Sequence, residues 1–482
     1  MTGEQFDRQR KLPDSPDCQE SGGLRTPLAM VYLGVAACIA AIGVNASSLL
    51  FPFIFYDDFD ILQESYTWES TCARLWVPFN EHCWPLTRLY AWMVVQLAGS
   101  PTGLPFTTAI AARVMQFSAM FLVGLFVQRE RGDAFLGFVA AIVFGVSSVY
   151  QEAVYWFAAT PAVAAAATAL LGLLAAQRWL QTGRGSFLVW SAFWCALAPG
   201  WFAGGVLAGP LCGLYLAWGK MQGRRWLAIV PVLGSLAFLA ISMPLAGKQI
   251  LHTPHYGERS AVEAFAIVEA VANTGRSIVD NLVLGAVGVT WFTCPVEIAA
   301  AGAIALAALL GWWWKRAPNR RLIVLGLAFI LLSDFLVYGA RANHPYDVQL
   351  RYWSRYNVWP WLGTVLIVCG GLSPSRRPKA SLKCRDQRSL GWLMAILLAV
   401  QLPQGIYRAP APNSLQAEAL EKVARMDERC RARGVAAADA SRVLPPLAVP
   451  GNPDFNGWLY LRGSENASPL PEAEVRRRIF DK

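Results

Sequence analysis

Residues 28–60 read LAMVYLGVAACIAAIGVNASSLLFPFIFYDDFD, an apolar run that ends in three carboxylates. A run of about 20 apolar residues is long enough to cross a bilayer as a helix. Carboxylates beside a bilayer are costly to desolvate, so Asp57, Asp58 and Asp60 are expected to face water or a binding partner. The stretch therefore predicts a first span, from about Leu28 to Leu50, followed directly by an acidic segment.

Similar apolar runs recur along the chain, which is 55% hydrophobic and only 15% charged. They predict an all-α polytopic membrane protein with about eleven transmembrane helices. The spans are expected at about 28–50, 105–127, 134–150, 154–176, 187–200, 202–218, 227–246, 286–314, 322–338, 357–372 and 390–403. Pro199 and the glycines after it allow either a tight turn or a single kinked helix over 187–218. Residues 85–98 predict a short interfacial helix.

Basic residues are concentrated in alternate loops, and this sets the expected orientation. They fall in the stretches 129–131, 178–184, 220–225, 315–321 and 376–388. The positive-inside rule then places the N-terminus in the cytoplasm and the region after the last span outside, as in the inner membrane of a bacterium. The expected organisation is a disordered tail at 1–27, a membrane domain at 28–403 with outer loops at 51–104 and 247–285, and a small outer region at 404–482.

The net charge of +10 does not indicate nucleic-acid binding, because the basic residues are scattered among short loops. The chain contains no P-loop, no G-x-G-x-x-G, no H-E-x-x-H and no G-x-S-x-G. These absences from the sequence argue against a soluble nucleotide-binding domain and the familiar hydrolases. The predicted span centres also contain few ionisable residues, chiefly Arg113, Glu297 and Asp334.

The chemically distinctive residues collect in the predicted outer segments. They are Asp57, Asp58, Asp60, Glu81 and His82 after the first span, Glu152 between the third and fourth, and Arg351 and Arg355 before the tenth. Carboxylates supply general bases and metal ligands, and arginine forks bind phosphate through paired hydrogen bonds. Each also has a structural interpretation: a solvated loop with an aromatic belt for the acidic stretch, and snorkelling side chains for the arginines.

This layout resembles the GT-C superfamily of membrane glycosyltransferases, with protein O-mannosyltransferases and aminoarabinose transferases nearest in layout. The resemblance rests on the acidic motif after the first span, the second acidic position at Glu152 and the later basic loop. The run Phe79-Asn80-Glu81-His82, followed by Pro85-Leu86, is similar to a motif in bacterial members of that group.

The resemblance implies transfer of a sugar from a polyprenyl-phosphate donor to a hydroxyl of a glycan, lipid or protein acceptor, with inversion. Asp57 or Asp58 would be the general base, and Arg351 and Arg355 would bind the lipid phosphate. Glu152, Asp60, Glu81 and His82 would contact the acceptor or hold a divalent metal, Mg²⁺ or Mn²⁺. The alternative function is a transporter or flippase for a lipid-linked glycan. From the topology alone, Cys72 and Cys83, eleven positions apart in the first outer loop, are expected to form a disulfide, and the alternative is two separate buried thiols.

Overall fold

The computed structural model describes residues 57–79, 82–99, 103–219, 225–246, 317–340 and 354–371, with isolated positions within 271–279 and 301–314 and at 432. The described residues form α-helices and short 3-10 helices and no β-sheet, as the sequence predicts. Within the described part of the chain, four helices are long and apolar enough to cross a membrane: Leu104–Arg131, Phe157–Thr182, Arg225–Leu245 and Arg320–Gly339. The predicted spans at 28–50, 286–314 and 390–403, the tail at 1–27, the loop at 247–285 and the region 404–482 lie wholly or largely outside the described residues.

Three short helices precede the bundle: α1 (Asp57–Glu64), α2 (Trp68–Arg74) and α3 (Pro85–Ala98). The Thr67 side chain accepts a hydrogen bond from the Ser70 amide, and the Ser70 hydroxyl caps the Thr67 amide in return, so α2 begins in a capping box. Pro85 occupies the first turn of α3, where its missing N–H has no intrahelical partner to lose.

The bundle comprises α4 (Leu104–Arg131), α5 (Ala134–Gly145), α6 (Glu152–Tyr155), α7 (Pro161–Thr182), α8 (Gly185–Trp201), α9 (Ala208–Ala217), α10 (Ile229–Ala246), α11 (Arg320–Ala340) and α12 (Val358–Gly371). Short 3-10 helices lie at Ser148–Tyr150, Phe157–Ala159, Ala203–Leu207, Arg225–Ala228 and Ser354–Asn357.

The alanine-rich α7 is the most buried of the long helices and packs between α4 and α8. A Cβ at Gly326 or Gly363 would meet the carbonyl of the other residue, so these small residues let α11 and α12 approach backbone to backbone.

Two predicted span boundaries are wrong. The α-helix expected at about 134–150 ends at Gly145. The span expected at about 154–176 begins at Phe157 with a 3-10 turn and continues as an α-helix from Pro161. Between them the chain forms three short helical pieces at 148–159. The segment 187–218 is two helices, because Phe202 adopts an extended conformation between α8 and the next 3-10 turn, and Pro199 is accommodated within α8.

Glu130 joins four helices at one end of the bundle, here called the Glu130 end. Its carboxylate, with a side chain only 2% exposed, pairs with Arg321 and accepts from Tyr215 (2.6 Å), Gln177 (3.0 Å) and Asn319 (3.2 Å). The contacts bring together the last turns of α4, α7 and α9 and the beginning of α11. The alternation of basic loops in the sequence predicts that these four helix ends lie on the same side of the membrane.

Cys72 and Cys83 are free thiols, so the predicted disulfide is wrong. Cys72 lies exposed on α2, whereas Cys83 is half-buried and its thiol donates to the Trp76 carbonyl (3.8 Å). The paired backbone hydrogen bonds between Phe79 and His82 (2.9 Å each) hold Cys83 in that position without a covalent link.

Alkylation of the protein in its membrane is expected to distinguish these two thiols. Burial raises the pKa of Cys83, with the Arg88 charge opposing in part, so little thiolate is present at neutral pH. A maleimide should therefore label Cys72 rapidly and Cys83 slowly, with labelling of Cys83 accelerating as the pH is raised. Peptide mapping with and without a reductant gives the readout, and a recovered Cys72–Cys83 disulfide peptide would contradict it.

Candidate functional site

Asp58 anchors the beginning of α1 to the segment between α5 and α7. Its side chain is 1% exposed, and Oδ1 accepts a hydrogen bond from the Ala158 amide at 2.6 Å. Ala158 belongs to the 3-10 helix Phe157–Ala159, six residues after Glu152. The first acidic segment and the Glu152 segment, about a hundred residues apart in sequence, therefore meet.

The end of α1 is fixed by an ion pair between a half-buried glutamate and a buried arginine. Glu64 pairs with Arg88, whose side chain is 1% exposed, and Arg74 approaches the same carboxylate at 3.8 Å. Arg88 also donates to the Val77 carbonyl at 3.2 Å, which holds the chain between α2 and α3. Because α1 is held at both ends, its backbone position is defined relative to α3 and to the 148–159 segment.

The segment before α12 also contacts the 148–159 segment. The Asn357 side-chain amide donates to the Val149 carbonyl at 3.2 Å, and the 3-10 helix Ser354–Asn357 packs against Ser148–Tyr150 and α6. Arg355 lies in that helix. The three segments that carry Asp58, Glu152 and Arg355 are thus gathered at one end of the bundle, here called the Asp58 end, opposite the Glu130 end.

The predicted site residues divide according to what the structure describes. Asp57 and Asp60 belong to helix α1. Glu152 is the first residue of α6 and is half-buried. Glu81 and Arg351 lie outside the described residues, as do the side chains of Asp57, Asp60 and Arg355. The structure brings the backbone segments together, while the roles of the individual side chains remain predictions.

A divalent metal site also remains a prediction. Among the described residues, no three His, Cys, Asp or Glu side chains come close enough to hold a metal ion together. Three of the predicted acidic candidates, Asp57, Asp60 and Glu81, have side chains outside that part of the chain.

His82 lies in an aromatic cluster. Its ring packs against Trp84 (5.3 Å between centroids) and Phe202 (4.9 Å). Ring contacts form two groups that meet along the chain at Trp201 and Phe202 and are here together called the aromatic cluster. The first group is Phe79, His82, Trp84 and Phe202, and the second is Tyr90, Phe157 and Trp201. Phe157, the neighbour of Ala158, stacks on Tyr90 at 5.3 Å, so the cluster adjoins the Asp58 contact.

Sequence reasoning found the aromatic residues near 51–90 but not their partners at 157, 201 and 202. It interpreted the first group as an interfacial belt, because a dense run of aromatics beside a span is typical of one. The signal for the second group is weak: Trp201 and Phe202 follow Pro199 and Gly200 at a helix end, where an aromatic pair is unremarkable. Only the tertiary contact joins them to Tyr90 and His82.

A series of buried side-chain hydrogen bonds stabilises the end of α5, where the 148–159 segment begins. Arg113 in α4 donates to Gln116 (2.9 Å), whose amide donates to the Gly145 carbonyl (2.8 Å) at the end of α5. The Tyr150 hydroxyl donates to the Phe144 carbonyl at 2.6 Å, and burial raises its pKa, so it remains a neutral donor. The intramembrane arginine noted in the sequence therefore has a structural role at the end of α5.

Two substitutions at Asp58 are expected to differ in their effect on stability. Asp58→Ala removes the acceptor of the buried Ala158 amide, which costs about 1–3 kcal/mol for the unsatisfied donor. Asp58→Asn retains an oxygen in that position and should cost less than Asp58→Ala. Thermal unfolding of both variants in the same lipid or detergent gives the comparison, and equal melting temperatures for them would contradict the anchoring role.

No known protein family matches this chain, and no curated protein is significantly similar to it.

Proposed function

We propose that this protein is a membrane glycosyltransferase that moves a sugar from a polyprenyl-phosphate donor to a hydroxyl group of an acceptor. The observation that carries the proposal is the meeting of three segments at the Asp58 end. Asp58 binds the segment after Glu152, and Asn357 binds the segment before it. A transferase of this kind needs a base, an acceptor-binding acid and a phosphate-binding cation at one place, and these segments bring candidates for all three.

Asp57 is the better candidate for the general base. A base must present a free carboxylate oxygen to the acceptor hydroxyl at hydrogen-bond distance. Asp58 is buried and already accepts from Ala158, so its role is to position α1. In the proposed step the acceptor oxygen attacks the anomeric carbon, the bond from that carbon to the phosphate oxygen breaks, and Asp57 takes the hydroxyl proton.

Arg355, with Arg351 nearby in sequence, is proposed to bind the departing lipid phosphate. The contact of Ser354–Asn357 with Ser148–Tyr150 and α6 supports a place for Arg355 beside the Glu152 segment. A planar guanidinium can bind two phosphate oxygens at once, and it stays charged at every physiological pH.

Replacing Arg351 or Arg355 with Ala is expected to weaken donor binding by about 1.5–3 kcal/mol, the range for a hydrogen bond to a charged group. Lysine should restore only part of the affinity, because it lacks the planar fork. Isothermal titration with farnesyl-phosphoryl sugars measures the effect. The exposed Arg178 at the Glu130 end provides a matched control as Arg178→Ala. Unchanged affinity in both variants would move the phosphate site elsewhere.

The remaining parts of the proposal follow from the loop charges and from the resemblance. The Asp58 end would face the periplasm of a bacterial inner membrane, with the Glu130 end in the cytoplasm. The acceptor would be a glycan, lipid or protein, and Glu152, Asp60, Glu81 and His82 would bind it or hold a divalent metal.

The Glu130 contacts favour a transferase over a transporter. A transporter must open its cytoplasmic side during alternating access. Here one buried carboxylate ties α4, α7, α9 and α11 together at the end proposed to be cytoplasmic. Separating those helices would leave a buried charge without its partners, which is costly.

Reconstitution into vesicles tests the choice between the two classes. Vesicles carrying a lipid-phosphate sugar on one leaflet are supplied with candidate acceptors, and both the glycosidic product and the movement of donor between leaflets are measured. The proposal predicts a new glycosidic bond without net movement of the intact donor. Movement of intact donor without a product would favour the transporter.

A further inference from the structure

The Glu130 end of the bundle carries an excess of positive charge. No Asp or Glu occurs in three of the basic stretches at this end, 178–184, 220–225 and 315–321. The two carboxylates at the end of α4 and just after it are already engaged, because Glu130 pairs with Arg321 and Asp133 caps the first turn of α5. The arginines of the three stretches therefore have no carboxylate in their own segments to balance them.

Two of these arginines lie where the apolar part of the protein begins. Arg225 and Arg320 are exposed, and each is the first residue of a candidate membrane span. Trp218 and Trp226, which are 49% and 69% exposed, lie at the same end. Exposed tryptophans at the ends of spans are typical of the membrane–water interface. Arg320 is thus expected at the depth of the phospholipid phosphates.

Trp314 holds the Arg320 side chain in a defined position. The guanidinium carbon lies 5.5 Å from the centroid of the Trp314 ring, and Nε donates to the Trp314 carbonyl at 3.2 Å. Trp314 also packs edge-on against Trp218, with 6.3 Å between ring centroids, which joins the end of α9 to the beginning of α11. Within the described part of the chain, the two terminal nitrogens of Arg320 donate to no other residue.

This geometry suits the phosphate of a lipid. The terminal nitrogens of a planar guanidinium can donate paired hydrogen bonds to two phosphate oxygens. Because Trp314 already orders the Arg320 side chain, less conformational entropy is lost when the phosphate binds. The exposed ring of Trp218 offers apolar surface beside the phosphate, at the depth of the glycerol group. A free phosphate ion would use only the guanidinium, whereas a phospholipid would use both surfaces.

We propose that Arg320, held over Trp314, binds the phosphate of an anionic phospholipid whose glycerol group and upper acyl chains lie against Trp218. An anionic lipid is the occupant because basic residues at the membrane surface attract negatively charged head groups. The bound lipid would lie next to Arg321 and the Glu130 network, so it should stabilise the folded protein by mass action. This site is at the opposite end from the candidate catalytic site and does not rest on the proposed function.

Native mass spectrometry of the full-length protein, stripped of lipid in detergent, tests the proposal. The protein is titrated with phosphatidylglycerol, phosphatidylcholine or inorganic phosphate. Arg320→Ala removes the guanidinium, Arg320→Lys keeps only its charge, and Trp314→Leu keeps every charge but removes the ring that holds the guanidinium. The matched controls are Arg184→Ala, an exposed arginine at the same end, and Trp226→Leu, an exposed tryptophan.

The wild type is expected to bind phosphatidylglycerol more tightly than phosphatidylcholine. Arg320→Ala should weaken binding of phosphatidylglycerol by about 10-fold or more, the effect of a hydrogen bond to a charged group. Arg320→Lys should lose less, and Trp314→Leu should lose about 2- to 5-fold, the effect of an exposed cation–π contact. Arg184→Ala should stay within about 5-fold of the wild type, the general attraction of one basic residue, and Trp226→Leu should match the wild type.

Three results would overturn the proposal. Equal affinity of the wild type for the two lipids would remove the preference for an anionic head group. Equal losses in Arg320→Ala and Arg184→Ala would leave only the general attraction of positive charge. Displacement of phosphatidylglycerol by equimolar inorganic phosphate would assign the site to the free ion.

Melting temperatures without added lipid establish that the variants are folded. If Arg320→Ala does not fold, Arg320→Lys and Trp314→Leu carry the test, and wild-type affinity in both would reject the site. Sugar transfer is a separate readout. A protein that forms no glycosidic product but shows the expected lipid affinities keeps this site and rejects the transferase, whereas normal transfer with unchanged lipid binding in the variants does the reverse.

Discussion

Asp57→Asn is expected to lower the rate of sugar transfer by at least about 100-fold while leaving the fold intact. General-base catalysis by a positioned carboxylate typically contributes about 10²–10⁴ in rate, and an amide of the same shape cannot accept the acceptor proton. The substitution should leave donor affinity close to wild type, because Asp57 is proposed to act on the acceptor hydroxyl. Single-turnover transfer with pre-bound donor separates the chemical step from binding.

The control for Asp57→Asn is Glu69→Gln, which removes one negative charge from an exposed position in α2 of the same segment. It should transfer sugar at the wild-type rate. A large loss in Asp58→Asn with little change in Asp57→Asn would reverse the roles of the two aspartates. Normal transfer in both variants would remove this segment from the mechanism.

Glu130→Ala is expected to lower the free energy of unfolding by about 3–5 kcal/mol, the range for removing one partner of a buried ion pair. The lower part of that range is expected, since the Arg321 side chain is 27% exposed and can regain water. The change also leaves the Tyr215 hydroxyl and the Gln177 amide without the oxygen to which they donate. Unfolding in mixed micelles with increasing SDS gives the free energy.

Two further variants show whether this cost belongs to the Glu130 network. Arg178→Ala, at the same end but exposed, should change stability by less than about 0.5 kcal/mol. The double variant Glu130→Leu with Arg321→Met should recover part of the loss, because neither charge is left buried without its partner. A Glu130→Ala protein as stable as Arg178→Ala would contradict the role assigned to the network.

The helical class and most described helices could be predicted, because long apolar runs have few other ways to fold. Residues 105–127 predicted a span, and α4 covers Leu104–Arg131. The segment 85–98 predicted a helix, and α3 covers Pro85–Ala98. The sequence could not show that α5 stops at Gly145, because residues 146–150 are apolar enough to continue it. The tertiary bond from the Gln116 amide to the Gly145 carbonyl and the local bond from Tyr150 to the Phe144 carbonyl stabilise the break there.

The segments that form the candidate site could be predicted from the sequence, whereas the burial and partners of their side chains could not. Local sequence marked the acidic run and Glu152 as unusual, but burial of Asp58 depends on Ala158, which lies a hundred positions away. Glu130 was missed altogether, since a carboxylate in the run Gln128-Arg129-Glu130-Arg131 is typical of a solvated helix end. Its partners come from three other helices.

Sugar transfer itself is tested most directly by mass spectrometry of the lipids and glycans from the native membrane, comparing the wild type with Asp57→Asn and with a strain lacking the protein. The proposed function predicts a glycan, lipid or protein that carries one additional sugar only in the wild type. It also predicts that the matching polyprenyl-phosphate sugar accumulates in both other strains. Identical product and donor profiles in the three strains would contradict it.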